Sequence, residues 1–277
     1  MASVQQLLRS AGDLASDSPR RDAEILLSYA LQKPRTWLYT WPEFEVAADC
    51  VDHFHRLLTQ RRQGLPVAYL TGQREFWSLP LAVNNHTLIP RPETETLVEW
   101  ALELPLPGDA SVLDLGTGSG AIALAVASER PHWQVTAVDA SAAALEVARA
   151  NAVSTGLQRV SFIQSDWYQG VAQQHFHLLL SNPPYIDAGD PHLAQGDVRF
   201  EPQSALVAND GGLADLVQLI ERAPAYLQSD GWLLLEHGYT QAAIVRDLLH
   251  TAGFSEVLTR KDMAGHERTT GACWRVA

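Results

Sequence analysis

The sequence predicts an α/β fold: a mostly parallel seven-stranded sheet with helices on both faces, joined through a β-hairpin to a small N-terminal helical bundle. Three observations predict it. The first third of the chain reads helical. A pair of short extended runs around a turn follows. From residue 111 onward, seven short apolar runs are interleaved with helical patterns.

In the bundle, a helix is expected over 4–15 and another over 20–31, where Ser18 and Pro19 read as N-cap and first helical residue and Pro34 lies beyond the end. A short helix over 35–40 stops before Pro42. A helix over 47–63 carries Val51, Phe54, Leu57 and Leu58 on one face and ends at Gly64. Runs 75–77 and 81–83 around Ser78-Leu79-Pro80 read as the hairpin. A helix over 93–104 has acidic residues in its first turn, favourable at the positive end of the helix dipole. Strands are then expected over 111–115, 134–138, 160–164, 177–181, 232–236, 257–260 and 273–276, and helices over 121–129, 142–152, 213–227 and 241–251. The domain reading is 1–72 helical, 73–90 hairpin linker and 91–277 catalytic, in keeping with about two domains for 277 residues. In open α/β sheets ligands sit outside the carboxyl ends of the strands, so chemistry is sought there.

Composition excludes several classes. Two distant cysteines, Cys50 and Cys273, make neither a disulfide framework nor a metal motif, and they fit a reducing, cytoplasmic setting. No basic-then-apolar leader or apolar run of membrane length is seen, so neither secretion nor a membrane span is expected. Residues 1–85 are electrically balanced, with 9 basic and 9 acidic residues, so the whole net charge of −12 falls on 86–277. Such a surface repels a phosphate backbone, which argues against a nucleic-acid partner.

The first expected strand runs into Asp114-Leu115-Gly116-Thr117-Gly118-Ser119-Gly120 before a helix. Glycines there allow close approach of backbone to a ligand, and the helix start offers N–H groups. The dinucleotide fingerprint is also satisfied, but Asp114 would repel a pyrophosphate. It suits a ligand with an ammonium and a sulfonium, as in S-adenosyl-L-methionine. Asp139, about 20 residues past the glycines, suits ribose hydroxyls, with a helix N-cap as its structural alternative. Asp166 and Trp167 end the third strand with an acceptor and a flat ring, suited to adenine; a core aromatic is the alternative for Trp167.

The fourth strand leads into Asn182-Pro183-Pro184-Tyr185. Two prolines hold a rigid extended turn and remove competing donors. The Asn182 side-chain oxygen and the Pro183 carbonyl can then grip the two N–H bonds of a planar NH2 group, and Tyr185 can cover its face. That alignment supports charge developing on nitrogen as it attacks a methyl group.

These motifs resemble class I S-adenosylmethionine-dependent methyltransferases acting on planar nitrogens. More closely, the chain resembles the release factor glutamine methyltransferases, the PrmC/HemK family, nearly end to end. The likeness includes Ser18-Pro19-Arg20-Arg21-Asp22-Ala23-Glu24, Arg74-Glu75-Phe76-Trp77, Leu88-Ile89-Pro90-Arg91-Pro92-Glu93-Thr94-Glu95 and Gly196-Asp197-Val198-Arg199-Phe200-Glu201-Pro202. The resemblance implies a Rossmann-like catalytic domain that methylates the side-chain amide of the Gly-Gly-Gln glutamine of peptide chain release factors, in translation termination. It also implies an N-terminal domain that docks the substrate, and cofactor contacts from Gly116 to Gly120, Asp139, Trp167 and Asn182. Arg91, Glu95 and Arg199 are either pocket residues or structural ion pairs. A monomer is expected.

Three other readings stay open on the residues alone: an adenine-N6 nucleic-acid methyltransferase, a ribosomal-protein glutamine methyltransferase, and a binding module without turnover. The first needs a basic groove and a flipped base, against the acidic balance. His53 and His55 fall on different helix faces, and His237 and His266 lack a zinc pattern, so no metal is expected.

Overall fold

Seven strands form the main sheet of this computed structural model, which describes residues 2–172 and 174–275. They are β1 (Ser111–Leu115), β2 (Gln134–Asp139), β3 (Ser161–Gln164), β4 (Phe176–Ser181), β5 (Leu227–Glu236), β6 (Ser255–Lys261) and β7 (Glu267–Trp274). Their order is β3-β2-β1-β4-β5-β7-β6. The first five run parallel, and β7 lies antiparallel between β5 and β6. The sequence order of neighbours reverses between β1 and β4, where α/β sheets open a ligand crevice.

Side chains alternate along each strand, so the two faces bury separate apolar layers. Val112, Leu178, Leu180 and Leu234 pack with helices Glu95–Glu103 and Ala121–Glu129. Leu113, Leu179, Leu233 and Leu235 pack with Ala214–Arg222 and Ala242–Thr251. Helix Ala121–Glu129 is apolar nearly all round and almost wholly buried, as a helix at the centre of a layer must be.

The chain divides into two units: residues up to Gln73 together with Pro191–Phe200, and Arg74–Asp190 together with Glu201 onward. In the first unit, helices Val4–Arg9, Pro19–Leu31, Arg35–Thr40, Ala48–Arg62 and Val67–Thr71 enclose Leu26, Leu27, Phe54 and Leu58. Segment 191–200 joins this unit through Arg61, whose guanidinium donates to Asp22 Oδ2 at 2.9 Å and to Asp197 Oδ1 at 2.7 Å. The Arg61 side chain is only 10% exposed, so an acceptor on both sides is what keeps this charge buried.

Several local expectations shift. The first helix ends at Arg9, not 15, with the Ser10 hydroxyl turned back onto Leu7 O. Ser18 makes no side-chain cap bond; Pro19 alone marks that start. The hairpin strands are Gln73–Phe76 and Leu79–Ala82 around a two-residue turn at Trp77-Ser78. Both turn residues have positive φ, 50° and 61°, which matches strand twist without the usual glycine or asparagine. Pro80 lies within a strand instead of the turn. The helix expected over 213–227 ends at Arg222, because Pro224 converts the next residues to a 3-10 turn. The last strand starts at Glu267 instead of 273; its expected end at Val276 lies outside the described residues.

Candidate active site

The walls of the main cavity come from consecutive strand ends in the second unit: Thr117 after β1, Asp139 at the end of β2, Trp167 after β3, and Asn182 and Pro184 after β4. Thr94, Arg91 and residues 86–88 close another side. The corner is fixed partly by Ser181, whose hydroxyl donates to Leu115 O at 2.6 Å and locks the ends of β4 and β1 together.

Gly116, Gly118 and Gly120 all hold left-handed backbone, with φ of 76°, 57° and 85°. The N–H groups of Gly116 and Thr117 both donate to Val138 O at 2.9 Å, and Gly118 N donates to Asp139 Oδ2 at 2.8 Å. These donors therefore hold the turn in shape, and what the turn offers a ligand is close approach. A side chain on Gly116 would come within 3.1 Å of the Trp167 ring. Asn151, fully buried, donates to Ser119 O and Ala82 O and accepts from Ala82 N at 2.7–3.0 Å. One side chain thus pins the hairpin strand to the glycine turn.

Asp139 lines the cavity, and its Oδ1 accepts from Ser141 N at 2.8 Å just before helix Ala142–Ser154, whose N-cap is Ser141 and not Asp139. A carboxylate has about four acceptor sites and the backbone takes two, so acceptance from ribose hydroxyls remains possible. Burial raises the Asp139 carboxyl pKa above its ordinary value, and the two backbone N–H bonds oppose that. Trp167 also lines the cavity, held at φ 47° with its Nε1 donating to Asp215 Oδ1 at 3.2 Å. Asp166 is there too, with Oδ2 taken by Gln169 Nε2 at 2.8 Å.

Asp114 is placed otherwise than expected. It is fully buried beneath the turn and absent from the cavity wall. The alternation of β1 turns it inward, where its Oδ2 accepts from Thr117 Oγ1 at 2.6 Å and its Oδ1 has no partner. Burial, with a contribution from Asp139, pushes its pKa up to about 7. Gly120, Pro183 and Tyr185 are likewise absent from the wall. Gly120 faces Leu124 and Ala148. The Tyr185 ring packs against the core, and its hydroxyl donates to Glu236 Oε1 at 3.2 Å, so it offers no lid over a substrate. Burial, followed by the nearby Glu236 carboxyl, raises the Tyr185 pKa.

Asn182 stands on the wall with its Nδ2 donating to Thr94 Oγ1 at 3.2 Å. That leaves Oδ1 as the free end of the amide. Arg91 lines the cavity while pairing with the buried Glu201, whose other oxygen accepts from Ile89 N at 3.0 Å. Glu95 has a structural role, accepting from Trp77 N at 2.9 Å. Arg199 belongs to the first unit, donating to Gln63 O at 3.0 Å. Sequence reasoning missed Thr94, Asn151, Asp215 and Glu236. Only Glu236 had a usable signal, as a carboxylate ending the apolar run of β5.

Comparison with known proteins adds to this geometry. Residues 1–72 match the PrmC N-terminal domain and 94–217 the methyltransferase small domain. The chain is 52% identical to the release factor glutamine methyltransferase of Shewanella oneidensis, over 94% of this chain and 91% of that protein. It is 49% identical to the one of Vibrio cholerae, over 97% and 93%, and 50% identical to that of Escherichia coli K12, over 92% of each. Among solved structures, a Pyrococcus furiosus methyltransferase aligns with a TM-score of 0.55 at 21% identity, over 72% of this chain and 90% of its own. The hMettl16 catalytic domain aligns at 0.57 and 15%, over 76% and 81%. These two show the shared fold.

Proposed function

Because the chain belongs to the release factor glutamine methyltransferase family, we propose that the Asn182 corner of its cavity receives the side-chain amide of a release factor glutamine. The protein is a protein-glutamine N-methyltransferase dependent on S-adenosyl-L-methionine. The cavity wall suits that cofactor: Asp139 has acceptor capacity left for two hydroxyls, and Trp167 offers a flat face. Gly116, Thr117, Gly118 and Ser119 with Asp139, Asp166 and Trp167 would hold it, with Asn182 between cofactor and substrate. When bound, it supplies an electrophilic methyl group on sulfur.

The observation that carries this reading is the orientation of Asn182. Its NH2 end is engaged by Thr94, so its oxygen is the end available to a substrate N–H. Pro183 lies off the cavity wall, so the acceptor that the wall offers a primary amide at this corner is Asn182 Oδ1. An amide nitrogen is a weak nucleophile because its lone pair is delocalised. An acceptor on its N–H raises electron density on it and stabilises the charge that appears as the new bond forms. The proton becomes acidic only then, so no strong base is required beforehand.

Asp114 supports the site from below, shaping the turn through Thr117. The helical unit is the docking surface for the protein substrate, the partner being a release factor and the setting cytoplasmic. The acidic balance of 86–277 disfavours a direct nucleic-acid contact, and the enzyme acts as a monomer. The decisive experiment incubates the enzyme with labelled cofactor and a release factor, then maps the label by mass spectrometry. Label on the Gly-Gly-Gln glutamine is expected. Label elsewhere, or none, overturns the assignment.

A further inference from the structure

Among the described residues of the cavity wall stands a single lysine or arginine, Arg91, against three carboxylates, Asp139, Asp166 and Asp215. Those three lie at the ends of β2 and β3 and beside Trp167, on the side assigned to the cofactor. Arg91 is placed elsewhere. It is the N-cap of the 3-10 turn Pro92–Thr94, its carbonyl accepts from Thr94 N at 3.2 Å, and Thr94 Oγ1 accepts from Asn182 Nδ2 at 3.2 Å. The cation is thus one short turn away from the corner assigned to the substrate.

Its charge is already engaged. Arg91 Nη2 donates to Glu201 Oε1, and Glu201 Oε2 accepts from Ile89 N at 3.0 Å. The Glu201 side chain is wholly buried and absent from the wall, whereas that of Arg91 is 29% exposed and lines it. A buried carboxylate without its cation is costly, which holds Arg91 to this partner. Glutamine and glutamate side chains have nearly the same shape, so space alone cannot tell them apart. Discrimination has to come from hydrogen bonding and charge. Asn182 Oδ1 suits an N–H and opposes a carboxylate oxygen. An unpaired guanidinium on the same wall would cancel that preference, because charge-assisted Arg–carboxylate bonds are much stronger than neutral ones.

We propose that Glu201 is a specificity-determining residue that masks the Arg91 charge, so that the cavity accepts a neutral carboxamide and refuses the isosteric carboxylate. The proposal rests on the reading that the Asn182 corner receives a glutamine side chain. Glu201 acts from behind the wall, without touching the substrate.

The test measures, by calorimetry with the demethylated cofactor present, the Kd of a release factor carrying glutamine, alanine or glutamate at the Gly-Gly-Gln glutamine. The enzymes are the parent, Glu201→Gln and the Arg91→Met/Glu201→Gln double variant. Glu201→Gln keeps the volume and an acceptor for Ile89 N while releasing the Arg91 charge. The parent should bind the glutamine factor about 10-fold or more tighter than the glutamate factor. In Glu201→Gln that ratio should fall by about 10-fold or more, through tighter binding of the glutamate factor. The double variant, which lacks the cation, should return to the parental ratio. A merely structural Glu201 would weaken all three factors alike, with no correction by a second substitution beside it. An unchanged ratio in Glu201→Gln, or a ratio that stays low in a folded double variant, overturns the proposal. Should Glu201→Gln fail to fold, the parent decides: a glutamate factor bound as tightly as the glutamine factor overturns the masking, and a preference of the expected size supports it. If all three factors bind alike to every enzyme, the reading of the Asn182 corner fails. A preference for glutamine over alanine beside an unshifted glutamate factor sinks only the role of Glu201.

Discussion

Replacing two glycines of the same turn by alanine should damage different properties. Gly118 and Gly120 both sit at positive φ, 57° and 85°, so each alanine carries a backbone cost of about 1–2 kcal/mol. Their surroundings differ. A Cβ on Gly118 meets nothing within 4 Å and stands on the cavity wall. A Cβ on Gly120 meets Leu124 Cδ1 at 3.1 Å and Ala148 Cβ at 3.3 Å, inside the packing between two helices. Overpacking of that kind adds about 1–3 kcal/mol. Gly118→Ala should therefore lose only about 1–2 kcal/mol of stability, and Gly120→Ala about 2–5 kcal/mol. Cofactor binding should rank them in reverse, because the Gly118 methyl occupies space the ligand needs. An increase in Kd of about 10-fold or more is expected there, equivalent to about 1.4 kcal/mol. Urea unfolding followed by tryptophan fluorescence and calorimetric titration with S-adenosylmethionine measure the two quantities. Equal stability losses, or parental affinity in a folded Gly118→Ala, would refute the assignment of Gly118 to the ligand wall and Gly120 to the core.

Asn182→Ala should lower kcat by about 100-fold or more while cofactor affinity falls much less, since it deletes one preorganised acceptor; single-turnover methyl transfer near the parental rate would count against it. Asn151→Ala removes three hydrogen bonds and leaves Ala82 and Ser119 groups unpaired, a loss of about 3–5 kcal/mol at about 1 kcal/mol or more per bond, readable by urea unfolding. Asp114 should leave a signature in pH dependence. Its folded-state pKa is raised to about 7, so the stability attached to its protonated form is fully present below the ordinary carboxylate range and is lost as pH rises through that value. Between about pH 4 and pH 7 the parent should lose stability that Asp114→Asn retains, seen as a flatter Tm profile; parallel profiles would contradict a buried, proton-binding Asp114.

Regular segments with strong apolar periodicity were legible in advance. The strand Ser111–Leu115 and the helix Ala121–Glu129 lie at their expected bounds, because Val112, Leu113 and the alanine-rich helix have no competing option. β7 was cut short because its first half is Glu-Arg-Thr-Thr-Gly, with no apolar pattern. Thr269 and Thr270 are nonetheless fully buried, and Thr270 is accommodated by bonds to His237 and Thr259 that join other strand ends. Polar burial through long-range partners leaves no periodic trace. The hairpin turn was displaced for a related reason: Pro80 suggests a turn, yet the twist is made by Trp77 and Ser78 in strained backbone. At the site, motif spacing located Asp139, Trp167 and Asn182 on one wall. It could not foretell that Asp114 and Tyr185 turn inward, nor that Thr94, far from it in the chain, holds the Asn182 amide.

The itinerary of the backbone has a consequence for engineering and for evolution by recombination. The chain leaves the catalytic unit after Asp190, contributes ten residues to the helical unit, and returns at Glu201. A truncation before Arg74 would not liberate a self-sufficient enzyme. It would strip Asp197 of its guanidinium and strand a loop whose anchors were deleted. Exchange of the helical unit between relatives by a single crossover is barred for the same reason: the transplanted helices and the resident loop would have to match. Chimaeras should therefore carry residues up to Gln73 and 191–200 as one cassette.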